Sequence, residues 1–565
     1  MLTFCQRLFF LSVILLSSGC IGETILPTPV PTAVLRSTTG PSPQATSQTS
    51  MVSTPTLKPD PTVPPTPTPT IFSISAVAAV PHALVAAAQE IAATNPQFRW
   101  VDDPATADLH LAINDGQPLT TWHYVFAAPF ATIPDDTSLE AWTVGWQTGQ
   151  NNLGATFITP ETAAAWATVW QDGIPKIRVV PAEELSAALW AERPSLTLLP
   201  FHHLTPDLKV LTVNGRSPLA PNFDPTNYPL QLTFGLVARE TAEIETAVSQ
   251  FQQLWPEPVS NHDPAKLTRL AMTGVTALVR ATAYQMEING ILYPGTDVKP
   301  ILQTADFAHV SNEAAFSPNC PYPNPIGGTT FCSRESYFAL LQEIGINIVE
   351  LTGNHVNDWG RENFVHSLDL YTQAGMETFG GGRNAAEANE PLLLNHNGNK
   401  IALTGCNPSG PNYAWATAEL AGSRFCDEGF KAQIQQLRSD DYQVIVTQQY
   451  AEYYHYAATV QQQADFKAFI DAGATAVSGS QAHHAQGFDL YNGGFIHYGL
   501  GNLFFDQMDQ LGTRQSFVDV YTFYNGRLLN VTLWTGLIEN YAYPRLMTAA
   551  EREQALRAVF QASGW

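Results

Sequence analysis

The stretch LLQEIGINIVELTGNHVNDWG, residues 340–360, contains a helix, a strand and a polar loop in succession. Its first part has helical apolar spacing, and Gly345 ends the helix because glycine readily adopts the left-handed conformation found at helix ends. The apolar run INIVEL then predicts a short buried strand, which the turn TGNHVND follows directly. In α/β sheets, functional residues gather on the loops after strand ends. The stretch therefore predicts an α/β fold, with Asn354 and His355 at a candidate site.

The same order of signals recurs along the chain from residue 265 to residue 565. Short apolar strands end in polar or glycine-rich turns and alternate with helices such as VQQQADFKAFIDAG, which stops at Gly473. The loops after these strands carry Asn312 and Glu313, Asp358, Gln449 and Glu452, Ser480 to His484, and Asn502. These polar side chains are the candidates for a shared site at the strand ends.

Residues 72–260 also alternate helix and strand signals, which indicates a separate α/β domain. PHALVAAAQEIAA predicts a helix, whereas FRWVDD and ADLHLAIN predict strands. The runs YVFAAPFATIPDD, SLTLLPFHHLTPDLKVLTVNG and NYPLQLTF resemble the solute-binding domains of bacterial transport systems. That resemblance implies a ligand cleft. It leaves two interpretations of His202 and His203, which either face a ligand or are exposed loop residues.

The first 20 residues, MLTFCQRLFFLSVILLSSGC, have the pattern of a secretory signal. An apolar run from Leu8 to Leu16 precedes small residues and Cys20, an arrangement that resembles the bacterial lipobox and predicts lipidation of Cys20. Ser17 departs from the usual lipobox, and an ordinary cleaved signal is the alternative. The expected location is outside the cytoplasm, on the cell membrane, with the lipid as the only anchor.

Residues 21–71 form a segment rich in proline and threonine. Between residues 23 and 70 there are 12 prolines and four charged residues, so this segment cannot bury a core. Proline favours extended polyproline II structure, which predicts a disordered linker between the anchor and the folded domains. A tail without a spacing role is the alternative.

Charge and hydropathy exclude two classes of function. The 565 residues include 27 Lys and Arg against 50 Asp and Glu, for a formal net charge of −23. A phosphate backbone is held by cations, so nucleic acid is excluded as an expected partner. No run of 18 or more apolar residues occurs, and no membrane-spanning helix is expected.

Four cysteines remain besides Cys5 in the signal and Cys20: Cys320, Cys332, Cys406 and Cys426. In an exported protein these four would form two disulfides. Proximity in the sequence favours joining the first pair and the second pair, although four cysteines allow three connectivities.

The chain from about residue 267 to residue 545 resembles the capsule-synthesis CapA family, whose catalytic-type domain is similar to the calcineurin-like metallophosphatases. The resemblance rests on the order and spacing of ADFAHVSNE, LLQEIGINIVELTGNHVNDWG, YTQAGMETFGGGRNAAEA, KIALTGC and FKAFIDAGATAVSGSQAHHAQGFDLYNGGFIHYGLGNLFFDQ. It implies a metallophosphatase-type α/β sandwich at residues 265–565, preceded by the solute-binding-like α/β domain at residues 72–260.

The resemblance also implies roles for four residues. Carried over, it makes Glu313 a bridging carboxylate, Asn354 and His483 metal ligands, and His355 the catalytic acid or transition-state stabiliser. The cofactor would be a divalent metal, either manganese, iron, zinc or magnesium. Two such ions would clamp the attacking and leaving oxygens.

Three positions depart from the family pattern. Val275 stands where the family has a ligand carboxylate, and Gln449 and Ser480 stand where it has imidazoles. Glutamine and serine oxygens coordinate hard cations but replace imidazole poorly. Gln449 and Ser480 are therefore possible replacement ligands, with Glu452 and Asp358 as supporting residues, and His455 or His484 could compensate from a shifted position.

These departures leave three states of the site open. It is a working two-metal centre, a weakened single-metal site, or a metal-free polar network in which Asp358 caps the next helix. Because one carboxylate and two imidazoles are lost, we expect poor metal binding and weak or absent binuclear phosphatase activity.

Three functions follow from these patterns. The leading hypothesis is a surface-anchored protein in the synthesis, export or attachment of a poly-γ-glutamate-type capsule or another envelope polymer, with that polymer or the capsule-synthesis machinery as partner. The second is a metal-dependent phosphoesterase or amide hydrolase outside the cytoplasm. The third is a non-catalytic surface protein that binds a ligand and has a degenerate metal site.

Overall fold

The computed structural model of the protein describes residues 70–151, 154–170, 177–241 and 243–565. The predicted signal, the lipidation of Cys20 and the linker up to residue 69 lie outside the described residues and stay predictions. No helix in the described part of the chain is both long enough and apolar enough to span a bilayer.

The amino-terminal region contains a mixed set of strands and helices. Its strands are β1 (Phe72–Ala76), β2 (Phe98–Trp100), β3 (Leu109–Ile113), β4 (Gln117–Pro129), β5 (Asp136–Thr137), β6 (Gln150–Asn151), β7 (Gly154–Ile158), β8 (Arg178–Val179), β9 (Ser195–Pro200), β10 (Leu208–Val213) and β11 (Gln231–Ala238). Its helices are α1 (His82–Thr94), α2 (Leu139–Thr148), α3 (Pro160–Ala167), α4 (Ala182–Ala191) and α5 (Ile244–Leu254).

These strands form one mixed sheet in the order β2-β1-β3-β11-β4-β9-β7-β6. Strands β1, β2 and β3 are parallel, whereas β4 runs antiparallel to both β11 and β9. Large aromatic side chains, including Trp142, Trp166 and Phe251, are fully buried among the helices and the sheet. The α/β class expected for this region is confirmed.

The carboxy-terminal region contains the remaining elements. Its strands are β12 (Leu267–Thr273), β13 (Val275–Thr276), β14 (Phe307–Asn312), β15 (Phe316–Ser317), β16 (Ser333–Arg334), β17 (Ile348–Glu350), β18 (Glu377–Phe379), β19 (Gly381–Gly382), β20 (Leu392–His396), β21 (Asn399–Cys406), β22 (Gly422–Ser423), β23 (Gln443–Gln448), β24 (Ala476–Ser478), β25 (Phe488–Tyr491), β26 (Gly494–His497), β27 (Asn502–Phe504), β28 (Gln515–Tyr524), β29 (Arg527–Glu539) and β30 (Tyr543–Leu546). Its helices are α6 (Arg280–Asn289), α7 (Lys299–Leu302), α8 (Phe338–Glu343), α9 (Arg361–Gln373), α10 (Ala385–Ala388), α11 (Gly429–Ser439), α12 (Val460–Asp471), α13 (Leu511–Arg514) and α14 (Ala549–Ala562).

Two sheets dominate this region and pack face to face. One has the order β18-β17-β14-β12-β28-β29-β30, and the other has the order β20-β21-β23-β24-β26-β25. Apolar side chains from both sheets share one core, with Leu270 and Ile348 from the first and Ile401 and Ile445 from the second. Because β12, β14, β17 and β18 are parallel, as are β21, β23, β24 and β26, each sheet gathers several carboxyl ends at one edge. The expected α/β sandwich is confirmed.

The two regions are packed against each other. Phe130 stacks edge-on against Phe488 and Phe495, and Asn530 donates a hydrogen bond of 2.8 Å to the carbonyl of Leu208. Tyr524 donates to the carbonyl of Asn261 over 3.0 Å. The amino-terminal sheet is thereby fixed to the hairpin of β28 and β29.

Both disulfides have the predicted pairing. Cys320 is bonded to Cys332 and Cys406 to Cys426, so each bond closes a short loop. The first loop follows β15, and the second starts at the carboxyl end of β21. Both loops therefore leave the strand-end side of the sandwich, where the polar residues gather.

Candidate functional site

Glycine residues let the strand-end loops approach one another closely. A Cβ atom on Gly353 would lie 2.8 Å from the Cα atom of Glu313, and one on Gly479 would collide with the carbonyl of Tyr498. The loop after β17 therefore lies directly against the loop after β14. This contact brings the Gly353-Asn354-His355 turn beside Glu313.

The centre of the site consists of Glu313, His483 and Glu452. The Nε2 atom of His483 lies 3.9 Å from Oε2 of Glu313 and 3.5 Å from Oε1 of Glu452. Glu313 is fully buried, and neither of its carboxylate oxygens has a hydrogen-bond partner among the described residues. One imidazole thus lies between two carboxyl groups, of which one is buried and one is partly exposed.

Burial and charge move the three pKa values apart. Burial raises the pKa of Glu313, although His483 and His355 act against the rise. Burial opposes the charge on His483, but the carboxylates of Glu313 and Glu452 outweigh it and raise its pKa to about 9. A hydrogen bond from His483 lowers the pKa of Glu452 to about 2. At neutral pH the site therefore holds an imidazolium beside an ionised Glu452.

The other ring nitrogen of His483 has a fixed role. Its Nδ1 atom lies 2.7 Å from Oδ1 of Asn502, whose amide nitrogen donates to the carbonyl of Thr513. An amide oxygen only accepts, so Nδ1 of His483 must donate. The Nε2 atom then faces the carboxylates, and a proton there is favoured because a lone pair would be repelled.

His355 is held by Asp358 on the loop after β17. Nδ1 of His355 donates to Oδ2 of Asp358 over 2.6 Å, and the same carboxylate accepts from the backbone of Phe331 and from the hydroxyl of Tyr413, each over 2.9 Å. The cap of helix α9 is Gly360, so the expectation that Asp358 caps this helix is wrong. The carboxylate orients His355 instead.

The three departing positions are buried. Val275 lies in β13 between β14 and β27, and its side chain offers no donor atom. The hydroxyl of Ser480 donates to Glu350, on β17, and the backbone of Gln449 donates to the carbonyl of Cys406 over 3.1 Å. Oε1 of Gln449 has no partner in the described residues. Ser480 is therefore committed to Glu350, whereas Gln449 keeps a free buried oxygen.

The two histidines considered as substitutes have other surroundings. Nδ1 of His484 lies 2.6 Å from the carbonyl of Ala485, and its ring packs edge-on against Tyr456. His455 is exposed and lies beside Tyr453. Neither ring is among the groups that shift the pKa of Glu313.

Residues 269–507 match the model of the family described as bacterial capsule synthesis protein PGA_cap. This part of the chain is similar to that family. The match spans β12 to β27 and so includes every strand-end loop of the site. The assignment supports a connection to capsule synthesis.

Two curated relatives have related names. The capsule biosynthesis protein CapA of Bacillus anthracis is 26% identical over 258 residues, which cover 44% of this chain and 62% of that protein. The PGA biosynthesis protein CapA of Bacillus subtilis (strain 168) is 24% identical over 215 residues, which cover 37% of this chain and 56% of that protein. The chain therefore spans about three fifths of the length of the curated relatives it matches.

Solved structures show only weak overall likeness. The NAD nucleotidase of Haemophilus influenzae gives a TM-score of 0.29 at 13% identity, covering 52% of this chain and 56% of that one. An ABC-type phosphate transport receptor from Vibrio cholerae gives a TM-score of 0.27 at 11% identity, covering 32% and 93%. TM-scores this low assign neither a fold nor a function.

The strand-end cluster of Glu313, Asn354, Glu452 and His483 is called the PGA_cap site. Its donor atoms fit one hard cation at most. Donors that share a cation lie roughly 3 to 4 Å apart, as Nε2 of His483 does from Glu313 and from Glu452. Within the described ranges, no three His, Cys, Asp or Glu side chains are arranged to hold a metal. A further donor would be an amide oxygen, and Oδ1 of Asn354 is buried without a hydrogen-bond partner among the described residues. A second cation would find no donor atom at Val275, and the hydroxyl of Ser480 is already bound to Glu350.

Sequence reasoning missed the buried pair of His309 and Glu350. Nε2 of His309 lies 3.0 Å from Glu350, which also accepts from the hydroxyls of Thr352 and Ser480. Burial opposes the charge on Glu350, yet these hydrogen bonds and the charge on His309 lower its pKa. The sequence signal that could have revealed this pair is Glu350, a glutamate at the end of an otherwise apolar strand. Glu350 positions the Ser480 loop and thereby His483.

Proposed function

We propose that this protein acts outside the cytoplasm in the synthesis, export or attachment of a poly-γ-glutamate-type capsule or another envelope polymer. In this proposal the PGA_cap site at the strand ends engages the polymer or a precursor of it. The predicted lipid anchor and linker would hold the folded regions at the cell surface. The capsule-synthesis machinery is the corresponding partner.

The observation that carries this proposal is the state of Glu313. A fully buried carboxyl group costs free energy in the absence of a ligand when neither oxygen accepts a hydrogen bond from the described residues. A purely structural carboxylate has its hydrogen bonds satisfied, as Glu350 does in the same region. Glu313 is thus better explained by a ligand that supplies the missing partner than by a role in folding.

The residues around Glu313 can bind and move a proton. His483 carries a proton on Nε2 that it can donate to a ligand atom between the two carboxyl groups. Glu452 is ionised and can accept a hydrogen bond or pair with a cationic group. His355, oriented by Asp358, keeps Nε2 available for a further hydrogen bond.

Metal-assisted hydrolysis of a phosphoester or amide is the second candidate. Its support is the set of unpaired buried oxygens on Glu313 and Asn354, which suit a hard divalent cation. Such a cation, when bound, would polarise a substrate oxygen or activate water. His483 must lose its Nε2 proton to join the ligand set, so metal binding should weaken as pH falls. The third interpretation, a non-catalytic binding protein, predicts ligand binding without turnover.

The proposal is tested in cells that lack the chromosomal copy of the gene. Capsule polymer is quantified after complementation with the wild type, Glu313→Gln, His483→Gln and the exposed control Glu335→Gln. We expect both site variants to lose most of the polymer while the control retains it. Wild-type polymer levels in Glu313→Gln, at equal protein abundance, would refute the proposal.

A further inference from the structure

A cavity lies beside the site, under the loop closed by the Cys320–Cys332 disulfide. Its volume is about 140 Å³, and its lining includes Arg280, Arg334, Asn324 and Thr330. Arg280 is the first residue of helix α6, and Arg334 ends β16. The lining therefore brings together two arginines from separate segments of the chain.

Each arginine pairs with one carboxylate and has more donors than this pairing uses. Arg280 uses Nε and Nη2 to bind Asp506, and its Nη1 has no hydrogen-bond partner among the described residues. Arg334 uses Nη1 to bind Glu287 and also interacts with the hydroxyl of Tyr337. Asp506 and Glu287 thus hold the two guanidinium groups in place without using all of their donors.

The loop itself adds no competing negative charge. Between Glu313 and Glu335 the sequence has no aspartate or glutamate, in a chain with 50 acidic residues and a net charge of −23. The amide of Asn324 and the hydroxyl of Thr330 supply further polar groups to the cavity. The loop therefore adds no negative charge to that of Asp506 and Glu287, which pair with the two arginines.

Arg280 connects this cavity to the site. Its guanidinium lies 5.0 Å from the ring centre of Phe331 and 4.7 Å from that of Phe505. Phe331 lies 4.1 Å from the ring of His355, and Phe505 stacks on His483 at 5.0 Å. Both site histidines are thus supported by rings that pack on the same arginine.

We propose that this cavity, here called the arginine pocket and defined by Arg280, Arg334, Asn324 and Thr330, binds a carboxylate or phosphate group. Guanidinium groups match both anions because their N–H fork pairs with two oxygens at once. If the proposed function holds, the pocket binds an anionic group of the same polymer or precursor that the site engages. Anion binding in the pocket does not itself require that function.

The test is isothermal titration of the full chain with small anions. Glutarate is the carboxylate probe, inorganic phosphate is the phosphate probe, and the uncharged glutaramide is the negative probe. We expect saturable binding of at least one anion with a stoichiometry of one and no binding of glutaramide. The anion that binds identifies which group the pocket accepts.

Variants locate the binding. Arg334→Gln should weaken the affinity on the order of 10-fold, since a charge-assisted hydrogen bond is lost. Arg334→Lys should recover part of the loss because it restores the charge without the fork. Arg178→Gln is the matched control, since Arg178 is also an exposed arginine paired through Nη1 with one glutamate. Equal loss in the control, or no binding of either anion, would overturn the proposal.

The result is independent of the capsule experiment. If the anion binds and Arg334→Gln weakens its binding while Glu313→Gln leaves capsule levels normal, the pocket stands and the proposed function fails. If neither anion binds while Glu313→Gln still abolishes capsule, the site stands and the pocket fails. Arg280 itself is not needed as a variant, because its loss would also disturb the rings that support the histidines.

Discussion

His483 in the PGA_cap region and His202 in the amino-terminal region are both substantially buried, yet they differ in charge. Carboxylates at 3.5 and 3.9 Å raise the pKa of His483 to about 9. Burial, together with the neighbouring His203 and Arg527, lowers the pKa of His202 to about 3. The difference shows that the neighbouring charges, rather than burial itself, decide which histidine is a candidate for proton transfer.

His202 and His203 both have lowered pKa values, so their rings are uncharged at neutral pH. Nδ1 of His202 lies 3.0 Å from the amide nitrogen of Asn261, and its ring packs edge-on against Trp122 at 4.8 Å. His203 is exposed. Of the two interpretations drawn from the sequence, exposure therefore holds for His203, whereas His202 is a half-buried packing residue.

The largest expected effect concerns Glu350, which binds His309, Thr352 and Ser480 and thereby holds the site in place. Glu350→Ala should lower the free energy of unfolding by about 3 to 5 kcal/mol, because it leaves His309 and two hydroxyls buried without their acceptor. Urea unfolding, followed by circular dichroism, measures the change. The exposed Glu335, which also pairs with a histidine, is the control: Glu335→Ala should cost at most about 1 kcal/mol. Equal losses would show that the network adds no special stability.

The second prediction concerns stability in acid, where the amino-terminal region should respond. Burial and the neighbouring His262 lower the pKa of His123 to about 4. The unfolded chain binds a proton at this residue below about pH 6.5, so its stabilising effect is present above pH 6.5 and is lost as pH falls towards 4. The loss should reach roughly 3 kcal/mol. His123→Asn should show a shallower fall in unfolding free energy over this range, and an unchanged slope would contradict the assignment.

The third prediction concerns His483, whose contribution to the free energy of unfolding should be lost as pH rises rather than as it falls. Its pKa is raised to about 9, so its stabilising effect is present below about pH 6.5 and is lost as pH rises towards 9. The loss should be roughly 3 kcal/mol, which is the free energy that a rise in pKa from 6.5 to about 9 represents. His483→Gln should remove this alkaline decline in unfolding free energy. If the variant and the wild type decline in parallel from pH 6.5 to 9, the imidazolium is not where we place it.

The smallest expected effect concerns the exposed side of the site. The hydroxyl of Tyr454 donates to Glu452 and accepts from Gln507 over 3.0 Å. Tyr454→Phe should raise the pKa of Glu452 and lower the stability by about 0.5 to 1.5 kcal/mol, because the carboxylate loses one donor. The pKa should stay below its usual range, since His483 still acts on it. Carboxyl titration by NMR measures the shift, and a pKa that returns to its usual value would show that Tyr454, not His483, holds Glu452 ionised.

The sequence alone determined the local features of the fold. Apolar runs followed by polar turns located β14, β17 and β24, and Gly345 and Gly473 marked helix ends with positive φ angles of 85° and 110°. The disulfide pairs followed from proximity along the chain. Val275 could be excluded as a metal ligand because valine carries no donor atom in any conformation. These features depend on neighbours within a few residues, which the sequence shows directly.

The tertiary structure decided the chemistry of the site. Glu313, Glu452 and His483 are far apart in the sequence, and only the packing of two sheets brings the imidazole between the carboxyl groups. The commitment of Ser480 to Glu350 and the position of Arg280 between Phe331 and Phe505 likewise join distant segments. The charge on a side chain depends on its burial and on the charges around it, and both are set by contacts between residues that the sequence does not place side by side.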